Sequence, residues 1–188
     1  MSYVQRRRFL WILFLVGLAL LAIAANATTL ARLRFEDLAL ESTAVARVRC
    51  LGAESRWEQG EIWTETRFEV VESEKGLLPG IISVRQPGGT AGHLHSRVDG
   101  VPTFRPGEEV YLFLWGREGE TYRVLGWSQG TFRISHDRES GIELVTQDSA
   151  GAPIFDPQTR KFRHGGIRNL PVTTFRGKLR KALDRVNP

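Results

Sequence analysis

VYLFLW, Val110 to Trp115, is apolar at six consecutive positions. A strand sends successive side chains to opposite faces, so a strand apolar on both faces must be covered on both. The chain therefore needs a sheet with material packed on each side. Leu112 and Leu114 are expected to point into the interior of the sheet. Tyr111, Phe113 and Trp115 are expected to lie beneath the terminal segments, where the only helical patterns occur.

Period-2 alternation surrounds that strand. Val45–Leu51 places Ala46, Val48 and Cys50 on one face. Ile62–Glu72 (IWTETRFEVVE) places Ile62, Thr64, Thr66, Phe68 and Val70 on one face, and the doubled Val70-Val71 predicts a bulge or bend. Ile81–Gln86 is a short third strand. Gly88–Gly107 reads as a long connection, and a turn at Pro106-Gly107 leads into VYLFLW. Tyr122–Trp127, Thr131–Ile134 and Ile142–Val145 are further short strands, and SAGAPIFDPQTR is loop. LARLRFEDLAL near the start predicts a short helix. Near the end, Phe175, Leu179, Ala182, Leu183 and Val186 form one stripe of a helix that Thr173 or Thr174 can cap. Many short strands with strong turn signals, and helices only at the ends, predict a mainly-β domain: a small antiparallel barrel, closed or partly closed, with short terminal helices.

Residues 1–27 read as a signal peptide. Arg6-Arg7-Arg8 precedes an apolar run, Phe9–Ala25, and Ala25-Asn26-Ala27 is a small-residue cleavage signature. The expected mature terminus is Thr28, and an uncleaved membrane anchor is the alternative. The leucine-rich core fits the general secretory route better than the twin-arginine one. Localisation is then periplasmic or extracellular. The net charge of +5 includes those three arginines. The remaining charge is polarised: Thr28–Asp156 is net −6 and Pro157–Pro188 is net +8. The organisation is therefore a β-barrel domain over 28–146 and a basic tail with a helix over 147–188. A basic tail beside an acidic domain gives no support to a nucleic-acid partner. The tail stripe has two possible fates, packing on the acidic barrel or lying on a membrane. The lone Cys50 permits no internal disulfide and reads as a buried thiol on an inward strand face.

The runs TAVARVRC, TRFEVVESEKG, IISVRQPGG, FRPGEEVYLFL and YRVLGWSQGTFRI resemble a widespread group of exported bacterial proteins. The strand order is similar to that of the oligonucleotide/oligosaccharide-binding (OB) barrel, and within that class to the netrin-like barrel of tissue inhibitors of metalloproteinases. The resemblance covers roughly Ala44–Ile134. It implies an OB-like, netrin-like fold and a barrel that binds another macromolecule. The inhibitors' own mechanism, an amino-terminal cysteine placed on the protease zinc, has no matching residue here.

The stretch QPGGTAGHLH, Gln86–His95, is the most chemically suggestive. His93 and His95 would share a face on a strand. With Asp99 they resemble part of the first cupin motif, which suggests a metal site at His93, His95 and Asp99. A phosphate loop is disfavoured, because GGTAG lacks the following Lys-Ser/Thr and a helix start. The plainer reading is a glycine-bearing loop, Gly88, Gly89, Thr90, Gly92, His93 and His95, that contacts a partner from the barrel rim. Ser83, Ser96, Ser128 and Ser135 lie in no nucleophile-elbow context. Trp57, Trp63, Trp115 and Trp127 offer an aromatic platform or, more simply, packing. No cofactor is implied. The leading function is an exported, non-enzymatic binding module, protease-associated or inhibitor-like, whose partner is another protein or an envelope polymer. The alternatives are a metal-dependent enzyme using His93, His95 and Asp99, and a structural envelope component that touches the membrane through its anchor or basic helix.

Overall fold

One long hairpin organises the sheet. The computed structural model describes residues 31–117 and 119–185. Helix α1 (Phe35–Glu41) leads into β1 (Ala44–Glu58) and β2 (Glu61–Lys75), which pair antiparallel from Val45↔Lys75 to Glu58↔Glu61. Gln59 and Gly60 join them at φ of 51° and 93°, the backbone twist that a two-residue hairpin loop needs. Three register breaks bend the pair, and one of them leaves Val71 without a partner between Val70 and Glu72, as the doubled valine predicts.

β2 pairs on its other edge with β3 (Ile81–Pro87). A small separate hairpin follows, β4 (Gly89–Ala91) with β5 (Leu94–Ser96). β6 (Glu109–Trp115) then returns to the free edge of β1, and β7 (Arg123–Val124) and β8 (Thr131–His136) both pair with β6. β9 (Glu143–Gln147), a hairpin of β10 (Ile154–Asp156) and β11 (Lys161–Arg163), β12 (Leu170–Pro171) and helix α2 (Val172–Asp184) complete the chain. The main sheet runs β12-β9-β8-β6-β1-β2-β3.

Among the described residues the fold is mainly β, with one large antiparallel sheet and two α-helices. No strand ladder among the described residues closes it into a barrel. β3 meets the residues before β7 at a single parallel bridge, Val84↔Tyr122. There Arg85 N donates to Tyr122 O at 2.8 Å and Tyr122 N donates to Ser83 O at 2.9 Å. β7 has two residues and offers no length for a longer ladder.

Two cores lie on the two faces. Ala46, Val48, Cys50, Phe68, Val84, Leu112 and Leu114 fill the concave interior. Val45, Tyr111, Phe113, Phe132 and Val145 pack beneath the helices, against Leu38, Phe175, Leu179 and Ala182. VYLFLW serves both, and its residues from Val110 to Leu114 are fully buried. Trp115 departs from expectation: it ends β6, pairs only with Arg123 of β7 and is 55% exposed.

The carboxy-terminal helix lies on the sheet. Its Phe175 ring packs against Tyr111 and Phe132, with centroids at 4.9 and 5.2 Å. Arg176 forms ion pairs with Glu72 and, at 2.8 Å, with Glu74 of β2. Lys178 pairs with Glu36 of α1 at 3.5 Å. Lys75 Nζ donates to the carbonyls of Ala39, Leu40 and Ser42 at 2.8, 3.0 and 2.6 Å, which places a cation at the carboxy-terminal end of α1.

Several local expectations are corrected. The strand expected over Tyr122–Trp127 shrinks to Arg123–Val124, and Trp127–Gln129 forms a 3-10 turn. The expected loop after Ser149 contains the β10–β11 hairpin. Neither Thr173 nor Thr174 caps α2: Pro171 occupies the N-cap, without a side-chain bond, and both threonines lie in the first turn. Val186 and the predicted signal segment, 1–27, lie outside the described residues. No helix among the described residues is long and apolar enough to cross a membrane.

Candidate functional site

The concave interior changes character toward one end of the sheet. Phe68, Ile82 and Val84 give way along their strands to Thr66, Thr64 and Gln86. Ser55 lies opposite Thr64 on β1, and Thr64 lies opposite Gln86 on β3, so three polar side chains form one row across three strands. Thr66 and Gln86 are only 2% and 4% exposed.

The glycine–histidine stretch folds down against this row. Gly88 N donates to Ile62 O at 2.7 Å, and Thr64 Oγ1 donates to Gly88 O at 2.6 Å. Ser55 Oγ lies 2.8 Å from Thr64 Oγ1. Gly88 and Gly89 adopt φ of 93° and 129°. A Cβ built on Gly89 would overlap both Thr64 Oγ1 and Ser55 Oγ. Glycine is therefore required there by φ and by close approach. The chain then forms the β4–β5 hairpin through the two-residue loop Gly92-His93, with Gly92 at φ 61°.

A cleft of about 520 Å³ lies between the polar row, the edge of the hairpin and the loop Val98–Phe104. Ser55, Thr64, Thr66 and Gln86 supply its polar floor, with Thr90, His95, Ser96, Arg97 and Thr103 also lining it, and Pro87, Val98, Val101, Pro102 and Phe104 supply apolar surface. Phe104 is anchored edge-on to Phe68 at 5.0 Å. Gln86 Nε2 is buried and has no hydrogen-bond partner in the protein. A buried amide donor without a partner is rare and carries a desolvation cost, so it calls for an explanation. The buried Tyr111 hydroxyl is also unpaired, but it sits beneath α2 against Phe175 and burial pushes its pKa up to about 12.

The loop residues proposed from sequence divide into two groups. Gly88, Gly89, Thr90 and His95 line the cleft, and His95 Nδ1 lies 3.0 Å from Thr90 Oγ1. Gly92 and His93 form the exposed far end of the hairpin and do not line it. Asp99 is exposed and lies 3.8 Å from Arg97. The turn at Gly92-His93 removes the shared strand face that the two-residue spacing of His93 and His95 implies. Among the described residues, no group of three or more His, Cys, Asp or Glu side chains is arranged to hold a metal ion.

The other candidates are spread across the fold. Cys50 is buried in the concave core, where burial pushes its thiol pKa up. Trp57 is exposed at the end of β1, and Trp63 lies beneath the Arg85 and Arg123 guanidiniums at 4.7 and 5.9 Å. Trp115 ends β6 and Trp127 begins the 3-10 turn, so the four do not make one platform. Glu109 joins a belt of charges across the opposite face: Arg49 bridges Glu69 and Glu109, and Arg47 bridges Glu109 and Glu143. Glu108 pairs with Arg133, which also holds Asp148 at 2.5 Å.

Sequence reasoning missed Ser55, Thr64, Thr66 and Gln86 as site residues. A signal was present in β2, where two threonines share the inward face with Phe68. Comparison of the chain with protein-family models, with curated proteins and with solved structures gave no match in any of the three.

Proposed function

We propose that this protein is an exported, non-enzymatic binding module whose ligand site is the cleft at the polar end of the sheet. One observation carries the reading: a cleft of small-molecule size, about 520 Å³, is lined by the uncharged polar side chains Ser55, Thr64, Thr66 and Gln86, drawn from three strands, beside an apolar wall. Ligand sites are typically concave and largely apolar, with a few fixed polar groups. The double-glycine approach at Gly88-Gly89 holds one wall in place through a main-chain bond from Gly88 to Ile62 and a bond from the Thr64 hydroxyl to Gly88 O, which favours a site formed before the ligand arrives. Export is our reading of residues 1–27 as a signal peptide, and the netrin-like resemblance supports a module whose partner is a protein or an envelope polymer.

The test is an NMR titration of the isotope-labelled protein with soluble cell-envelope fragments, protein and glycan fractions separately. The reading expects saturable shifts at the main-chain amides of Gly89, Thr90 and His95 and at the Gln86 side-chain amide. Shifts confined to α2 or to the charged belt would place the contact elsewhere and refute it.

A further inference from the structure

We propose that the protein forms a two-fold dimer by pairing the open edge of β1, Gly52–Glu58, antiparallel with the same edge of a second copy. The proposal goes beyond the ligand-binding reading and does not depend on it.

β1 is far longer than its neighbour on that side. β6 covers it only from Ala44 to Arg49. The turn before β6 reaches one step further: Cys50 N donates to Glu108 O at 2.9 Å, and Gly107 N donates to Cys50 O at 2.8 Å. From Gly52 to Glu58, β1 pairs with β2, and among the described residues no further main-chain bond reaches it. Ile62 shows which groups are free. Its carbonyl accepts from Gly88 N, on the side of β2 away from β1. Ile62 and Trp57 are therefore opposed without exchanging main-chain bonds. Trp57 turns its N–H and C=O to the open edge, and by the alternation of an antiparallel ladder so do Ser55 and Ala53.

An open edge is a template for another strand, and side chains decide which one fits. The segment G-A-E-S-R-W-E is complementary to itself. With the two-fold axis at Ser55, Glu54 lies opposite Arg56 of the second copy, and Arg56 lies opposite its Glu54. Ala53 lies opposite Trp57, a small residue against a large one, and the Trp57 ring is 55% exposed and free to cover it. Moving the axis by one residue would set Glu54 or Arg56 against its own copy, so charge selects the register. Within one hairpin Glu54 stands directly opposite Glu65, a like-charge pair that costs stability. An arginine from the second copy supplies a counter-charge on the other side. The segment also lacks the proline and lysine that commonly guard an exposed edge. Pairing would add about six main-chain hydrogen bonds, two for each of the three opposed pairs that bond.

The test is sedimentation equilibrium of the full protein at low salt, with amide hydrogen exchange on the same samples. The protein should dimerise reversibly, and exchange at Ala53, Ser55 and Trp57 should slow as dimer forms. Glu54→Arg and Arg56→Glu should each raise the dimer dissociation constant at least about tenfold, because each change enters twice across the axis. Combining the two should restore the constant to within about threefold of the parent. Glu54→Arg also relieves the contact with Glu65, so its thermal midpoint should not fall and its loss of dimer is not a loss of fold. A protein that stays monomeric up to about 1 mM would overturn the proposal. A dimer indifferent to both single reversals would place the interface elsewhere and overturn it too. Slowed exchange at the three residues only when envelope protein is added, with the chain itself monomeric, would replace the second copy with a strand of another protein.

Discussion

Gly89 lies so close to Thr64 that no side chain fits between them. The contact joins the glycine–histidine stretch to the inner face of β2, and it holds one wall of the cleft over its polar floor. Gly89→Ala should therefore do two things. It should destabilise the protein by about 1–3 kcal/mol, from the positive φ and the overlap with Thr64 and Ser55. It should also shift the main-chain signals of β4. A denaturation midpoint equal to that of the parent would contradict this account of the close approach.

The carboxy-terminal helix should contribute strongly to stability. Phe175 is fully buried among Tyr111, Phe132 and Phe35. Phe175→Ala should cost about 3–5 kcal/mol, as for other large aromatic truncations in a core. The measurement is urea denaturation without lipid. A loss under about 1 kcal/mol would mean that the helix is only loosely docked.

Acid should weaken the charged belt. Arg47 donates to Glu143 at 2.6 and 2.9 Å, and these bonds are the main reason the Glu143 carboxyl is held below its ordinary pKa of 4.5. The folded protein thus binds that proton more weakly than the unfolded chain does. The contribution is complete above the ordinary value and is lost as pH falls through the lower folded value. Thermal midpoints from about pH 6 to about pH 3 should fall for the parent and fall less steeply for Arg47→Ala. Parallel curves would show that the pair adds nothing to acid sensitivity.

How much of this could be read from the chain depends on which residues alternate. IWTETRFEVVE announces its strand because burial follows a period of two, and VYLFLW announces its own as a short run that is apolar on both faces. The far half of β1, Gly52–Glu58, does not, because it has no buried residue on either face and so no pattern to read. The short β10 and β11 have three residues each, too few to show a period. At the site, Gly88 and Gly89 are legible as a glycine loop, but Ser55, Thr64 and Gln86 come from three strands. Only the pairing register puts them side by side, and register is a tertiary property. The His93-x-His95 spacing suggested a shared face, and a two-residue turn between the short strands removed it.

The central claim is that the cleft around Gln86 is kept for binding at a cost to stability, and Gln86→Leu tests it most directly. Leucine has a similar volume and removes an amide donor that is buried without a partner, so the variant should be as stable as the parent or more stable by about 1 kcal/mol. The same variant should bind envelope-derived ligand at least several-fold more weakly. Denaturation and binding measured on one preparation should therefore move in opposite directions. A Gln86→Leu protein that loses stability, or that binds as well as the parent, would contradict the account.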